Sequence, residues 1–319
     1  DTPTPRPTPV ASDTATPRPS ATATPTPTLI PSITFTLTPS ATVTPTPRPT
    51  NTPAIRPTIT PGCAPRPTAM AAWWALDELG GTTAWEGIGG NHGVVQGGAA
   101  VANPAKVAAG RSFDGATGMI QVPDAAALDA GSADLSIDAW IRPKAVDGLR
   151  PIVVKQYAPA DAPWGYAFYV QDGQLTFAMS NGGSAILGTS TAGVTVDGQW
   201  HLAAVSLQRG STSGGRIYWD GILVNSFDTT PLVGPVDTPA DLFIGHRPVL
   251  SRGLPPRFFE DGIDEVELFH RALSAGEVGS IYSAGGFGKC DKPPTPTPSP
   301  TPRRAGARSV GVIVRELPQ

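Results

Sequence analysis

The sequence predicts an all-β domain with one short late helix, flanked by two disordered Pro/Thr-rich tails. Three observations carry this reading. Short β-branched and aromatic runs recur through the middle of the chain, about 8–12 residues apart. Asp-Gly pairs separate several of them, which is hairpin chemistry. Proline is segregated: 18 of the 37 Pro fall in residues 1–68 and 7 in residues 291–319, whereas all seven Trp and both Cys lie between 63 and 290. The expected boundaries are a linker over 1–68, a β-sandwich domain over 69–290 and a tail over 291–319.

The elements follow in order. After the linker comes AAWWALDE (71–78), then GVVQ (93–96), MIQV (119–122), LSIDAWIR (135–142), IVVKQ (152–156), YAFYVQ (166–171), QLTFAM (174–179), WHLAAVSLQ (200–208), RIYWD (216–220), ILVNSF (222–227), DLFIG (241–245) and IDEVELFH (263–270). LSIDAWIR alternates with period two, placing Ile137, Ala139 and Ile141 on one face and Asp138, Trp140 and Arg142 on the other. Asp172-Gly173 and Asp220-Gly221 are two-residue connections that supply φ > 0 for type I′ turns. Ser274 with Glu277 three residues on is a capping box, and Val278, Ile281 and Tyr282 give the helix its stripe. Strands of this kind form an antiparallel sandwich or barrel.

The tails repeat TPTPRPTP and PPTPTPSPTP. Such chains lack the apolar surface to offset their ordering entropy, so they are read as extended spacers. Their composition also suits O-glycosylation. Residues 1–68 carry five Arg and two Asp, and 291–319 carry five Lys/Arg and two acids, leaving 13 basic and 22 acidic residues in 69–290, a net of −9. That sign opposes a phosphate-tracking surface, so no nucleic-acid partner is expected. It suits Ca²⁺, which takes carboxylate and carbonyl oxygens. No segment reaches the ~18–20 apolar residues of a membrane span.

Five ordered segments together resemble the laminin-G-like domains of the concanavalin A-like lectin/glucanase superfamily. They are WWALDELGGTTAWEGIGGNHG, AGRSFDG, LSIDAWIRP, DGQWHLAAVSLQRGSTSGGRIYWDGILV and DGIDEVELFHRALSAGEVGSIYSAG. The resemblance implies a two-sheet antiparallel jelly-roll sandwich. It also implies an extracellular, non-catalytic module for binding or adhesion, often toward glycans, and often with a structural Ca²⁺. The stretch Asp114 to Met119 departs from the family by lacking further acids after FDG.

On that basis Asp77 and Asp264 are expected as carboxylate ligands of a structural Ca²⁺, completed near Asn91 and Asp114. The competing reading is that these residues cap turns. Cys63 and Cys290 flank a domain whose ends should meet, and they are expected to form a disulfide. Trp164, Tyr166 and Tyr157 surround the loop-rich APADAPWGY and form a candidate sugar platform, with Trp140 as a further ligand-facing candidate. Trp73, Trp200 and Trp219 read as core. For catalysis, a retaining glycosidase needs two carboxylates ~5–5.5 Å apart. The E-x-D-x-x-E pattern of the glucanases fails at Gly262 within Asp261–Glu267, so no enzymatic activity is expected. The four His are scattered without metal spacing. The remaining alternatives are a structural spacer of a surface protein and a diverged glycoside hydrolase.

Overall fold

The computed structural model describes residues 62–157, 163–249, 255–290 and 292. Apart from residues 62–68 and 292, the two expected tails lie outside them. The chain opens with β1 (Met70–Trp74), β2 (Thr83–Ala84), β3 (Gly93–Gln96), β4 (Ala100–Ala102), β5 (Gly110–Asp114) and β6 (Met119–Val122). Long strands follow: β7 (Leu135–Pro143), β8 (Leu149–Tyr157), β9 (Trp164–Gln171), β10 (Gln174–Asn181) and β11 (Ala185–Gly193). Then come β12 (His201–Leu207), β13 (Gly215–Trp219), β14 (Ile222–Phe227), β15 (Leu242–Ile244), β16 (His246–Arg247), β17 (Arg257–Phe258) and β18 (Glu260–Phe269). Helix α1 (Ala275–Ala284) closes the order, ahead of a short 3-10 turn.

Sixteen of the eighteen strands form two antiparallel eight-stranded sheets, and β16 pairs with β17. The first runs β14-β13-β12-β7-β18-β5-β4, with β1 also pairing β18, and the second runs β11-β10-β9-β8-β15-β6-β3-β2. The expected jelly-roll sandwich is therefore present. One continuous core fills the space between the sheets, and it takes Ile137, Ala139 and Ile141 from β7, Phe168 and Val170 from β9, and Val266 and Leu268 from β18.

The opposite face of β7 is not solvated. Val278 and Ile281 of α1 close a second apolar cluster over Trp140, Leu202, Ala204, Tyr218 and Phe269. The capping box fixes where the helix starts: Ser274 accepts from the Glu277 N–H while the Glu277 carboxylate accepts from the Ser274 N–H. Serines on the sheet pin the approach to it. Ser136 Oγ donates to Arg271 O at 2.8 Å and Ser206 Oγ donates to Leu273 O at 2.7 Å.

Both Asp-Gly turns form as the sequence predicts, with φ of +48° and +81° at Asp172-Gly173 and +52° and +76° at Asp220-Gly221. The runs AAWWALDE and IDEVELFH do not coincide with the strands. Asp77 lies beyond β1, because Leu76 turns the chain at φ +59°. Asp264 lies inside β18, which starts earlier, at Glu260.

Cys63 and Cys290 are bonded, with their Cα atoms 5.0 Å apart across 227 residues of sequence. The segment Gly285–Cys290 thus returns as a strap beside the start of the domain. Ala64 N–H donates to Gly288 O at 2.9 Å and Cys290 N–H donates to Ala64 O at 2.8 Å. A crosslink over so long a loop restricts the unfolded chain strongly. Replacing both cysteines (Cys63→Ser with Cys290→Ser) is expected to lower the unfolding free energy by up to about 5 kcal/mol. Urea unfolding of the oxidised wild type and the double variant checks this, and coincident midpoints would refute it.

Candidate functional site

The most exposed aromatic pair on a regular element is Tyr157 with Trp164. They are direct partners at the open ends of β8 and β9, 43% and 40% exposed. Residues 158–162, which join them, lie outside the described residues. Directly opposite residues in a sheet hold their Cβ atoms about 4.5–5.5 Å apart, so both rings project from one place.

The ground beneath the pair is rigid. Two register steps inward, on the same face, Lys155 pairs with Tyr166. Lys155 is fully buried, yet every proton of its ammonium has an oxygen. Nζ donates to Asp124 Oδ1 at 2.6 Å, Thr238 O at 2.8 Å and Ala240 O at 2.9 Å, with Asp129 Oδ1 at 3.0 Å. This knot ties the 124–129 loop and the 238–240 loop to the hairpin. Trp164 lies against Gly182, where a Cβ would come within 1.6 Å of Trp164 Nε1, so only glycine admits the indole. Two aromatic faces on a fixed base, surrounded by loops, can stack against the apolar face of a ligand.

Tyr166 and Trp140 are corrected as ligand contacts. Tyr166 is 1% exposed and donates its hydroxyl to Leu128 O at 2.8 Å, inside the core. Trp140 is 2% exposed on the other sheet, stacked on Tyr282 at 5.8 Å and capped by Lys106 Nζ 4.0 Å from its ring centre. Neither presents a free ring. Trp73 is buried as expected, but Trp200 and Trp219 are only half-buried. The Arg142 guanidinium lies over Trp200, 5.1 Å from its centre, and His201 stacks on Trp219 at 4.7 Å.

The acids expected to hold calcium divide into separate roles. Asp77 and Asp264 both approach the 105–109 loop. Asp77 Oδ1 accepts from Ala109 N–H at 3.3 Å, and Asp264 Oδ2 accepts from Val107 N–H at 2.8 Å. Asp77 Oδ2 is already paired with an ammonium, Lys292 Nζ at 2.6 Å, which also pairs with Glu265. Burial, reinforced by Glu265, pushes the Asp264 carboxyl well above the usual range. Asp114 serves its own turn, accepting from the N–H groups of Ala116, Thr117 and Gly118 and from the Thr117 hydroxyl. Asn91 offers its carbonyl to Trp74 Nε1 at 3.0 Å. Ca²⁺ requires about six to eight oxygen ligands. Here N–H donors and an ammonium take every Asp77 and Asp264 carboxylate oxygen except Asp264 Oδ1, which is buried without a partner, and no group of three or more His, Cys, Asp or Glu among the described residues could hold a metal ion. The residues present do not fit calcium.

Glu86 is a structural acid that the sequence reading missed. Its buried carboxylate accepts from the N–H groups of Trp73 (2.9 Å), Ile88 (2.6 Å), Gly89 (2.7 Å) and Asn91 (3.1 Å). It thereby shapes the GIGGN loop and ties it to β1. An acid immediately before a glycine-rich loop was the available signal.

Residues 114–279, just over half of the chain, match a laminin-G family model of the concanavalin A-like lectin/glucanases superfamily. The chain belongs to this superfamily. Among solved structures it is similar to the binding domain of Paraclostridial Mosquitocidal Protein 1 (13% identity, TM-score 0.53, covering 67% of this chain and 52% of that one). It is also similar to Trypanosoma rangeli sialidase in complex with sialic acid (16% identity, TM-score 0.52, covering 70% and 35%). A third is the binding domain of Botulinum neurotoxin DC in complex with rat synaptotagmin II (13% identity, TM-score 0.50, covering 68% and 51%). The chain thus spans between a third and about half of their lengths, and identities this low carry the fold alone. No curated protein matches the chain.

A second surface feature joins the ends of β12 and β13. His201 Nδ1 lies 2.8 Å from Asp220 Oδ2, and Nε2 lies 3.1 Å from Asp197 Oδ1. Burial works against its protonation, but hydrogen bonds and charge from Asp220 and Asp197 outweigh it, so its pKa is raised. The stabilisation from this group is fully present below the unfolded value of about 6.5 and is lost as pH rises through the folded value. NMR titration is expected to place the His201 midpoint above that of a free histidine. The melting-temperature advantage of wild type over His201→Gln is expected to shrink as pH rises. A midpoint at or below the free value would refute the assignment.

Proposed function

We propose that this domain is an extracellular, non-catalytic binding module whose ligand is a carbohydrate chain seated on Tyr157 and Trp164. The observation that carries the reading is the exposed aromatic pair on a hairpin end locked by Lys155. Membership of a lectin-type superfamily supports it. So does the likeness to two binding domains and to a sialidase in complex with sialic acid. The disulfide suits an oxidising compartment outside the cell. Among the described residues no helix is long and apolar enough to cross a membrane.

Several observations favour binding over hydrolysis. Asp264, Glu265 and Glu267, the acids of the glucanase-like stretch, are buried beneath other residues, where a polysaccharide has no access. The more open acids beside them are paired: Asp261 with Arg142 at 2.9 Å and Glu260 with Lys144 at 3.3 Å. Neither forms a free acid and base flanking an open groove.

A glycan panel followed by calorimetry tests the proposal. Saturable binding is expected, weakened at least about tenfold (about 1.4 kcal/mol) by Trp164→Ala or Tyr157→Ala. Trp164→Phe should retain more of it. Silence of the wild type across the panel points to a purely structural spacer, and turnover of any polysaccharide points to a hydrolase. Either result sinks the proposal.

A further inference from the structure

Beneath the disulfide-anchored strap lies a trio of ionisable groups with no route to water. Glu267 of β18 and Asp138 of β7 are direct partners across the sheet, and Lys289 of the strap reaches down between them. Lys289 Nζ contacts Glu267 Oε1 directly and lies 3.9 Å from Asp138 Oδ1. The side chains are 2%, 0% and 0% exposed in the order Lys289, Glu267, Asp138. Trp73 closes the remaining side, its ring centre 5.8 Å from Nζ.

What separates this trio from the other buried charges is the absence of hydrogen bonds from outside it. Apart from the Lys289 contact on Glu267 Oε1, the carboxylate oxygens of Asp138 and Glu267 are buried without a hydrogen-bond partner. Lys155 has two carbonyls besides its acids, Glu86 has four N–H donors, and Glu265 accepts from Trp73 Nε1 at 2.8 Å. A buried ion pair lacking such support is costly. One ammonium facing two carboxylates leaves unbalanced charge as well. Condensing the amine with one carboxylate removes two charges and supplies an amide N–H to the other.

We propose that Lys289 and Glu267 are joined by an intramolecular amide bond, with Asp138 as the proton relay. The reaction begins with a proton passing from the Lys289 ammonium to the Glu267 carboxylate. The neutral Nζ then attacks the Glu267 carboxyl carbon and forms the new N–C bond. Asp138 takes a proton from that nitrogen and returns it to the departing hydroxyl. The C–OH bond breaks and one water leaves. No oxidant, cofactor or change of net charge is involved.

The surroundings favour the neutral acid and hold the amine against it. Burial, followed by the nearby Asp138 charge, pushes Glu267 well above the carboxylate range, and burial raises Asp138 to about 6. Burial also opposes the Lys289 charge, although Glu267, Asp138 and Glu265 outweigh it. The ammonium is therefore the resting form of Lys289, and the neutral amine–acid pair is reached by one proton hop to Glu267. The disulfide and the Ala64 hydrogen bonds hold the amine at its target, which gives the high effective concentration such a condensation needs.

Intact-mass measurement of the full chain, reduced and denatured, is expected to read one water below the sequence mass. Proteolysis is expected to release a branched peptide joining residues 267 and 289. Dehydration at an Asp-Gly pair would give the same mass deficit without the branched peptide, and that outcome overturns the proposal. So does a wild-type mass equal to the sequence mass. Lys289→Met is expected to restore the full mass, and Asp138→Asn to leave most of the chain unlinked. Complete linkage in Asp138→Asn would overturn the relay. The wild-type measurement decides the bond itself, whether or not either variant folds.

Discussion

A charge removed from water must be matched, and that requirement organises the whole outer face of the first sheet. β7 and β18 run side by side, carrying Asp138 and Glu267 on the face that turns away from the sandwich core. Left bare, that face would be a solvated polar strip. It is instead covered by α1 on one side and by the strap on the other, so the acids become interior groups. Interior acids need a partner, and Lys289 is delivered to them by a segment that must be held in place. Ala64 and the Cys63–Cys290 bond hold it. The meeting of the domain's two ends is therefore tied to burial of the charge and not only to strand topology.

Local rules were legible wherever one or two residues set the geometry. The two Asp-Gly turns and the Ser274–Glu277 capping box need particular backbone angles or side-chain oxygens, and they declare themselves in four letters. β11 did not. Its run AILGTSTAG has little apolar pattern because Gly188 gives up its side chain to make room for the Phe227 ring. The partner that completes such a strand is some forty residues away. β5 was hidden for a different reason: Arg111 reads as a surface residue, but it is buried in an ion pair with Glu78 at 3.0 Å.

The candidate site shows the same division. Period two correctly separated Ile137, Ala139 and Ile141 from Asp138 and Trp140. Alternation says which residues share a face, but not what later covers that face. Trp140 reads as ligand-facing because nothing local announces that α1 and Tyr282 will lie on it. The expectation for Asp264 met a related limit. A bulge between Asp264 and Glu267, with Glu265 at φ +51°, sends neighbouring carboxylates to different partners, so they do not form one ligand set. The exposure of Tyr157 and Trp164 was legible because they flank the Pro-containing stretch APADAP, and residues at strand ends are seldom covered by the opposite sheet.

The two sheets have thereby acquired opposite characters. On the first, ion pairs, a helix and a crosslink seal the outer face, and substitutions there act on stability. On the second, buried charge works at the sandwich end, where Lys155 gathers three separate segments into one fixed mount. An aromatic surface binds well only when its rings are held before the ligand arrives, because ordering them at binding would cost much of the contact energy. A fully hydrogen-bonded lysine beneath the rings meets that need better than apolar packing would. It fixes direction as well as distance, and it does so two register steps from the residues that remain open to solvent.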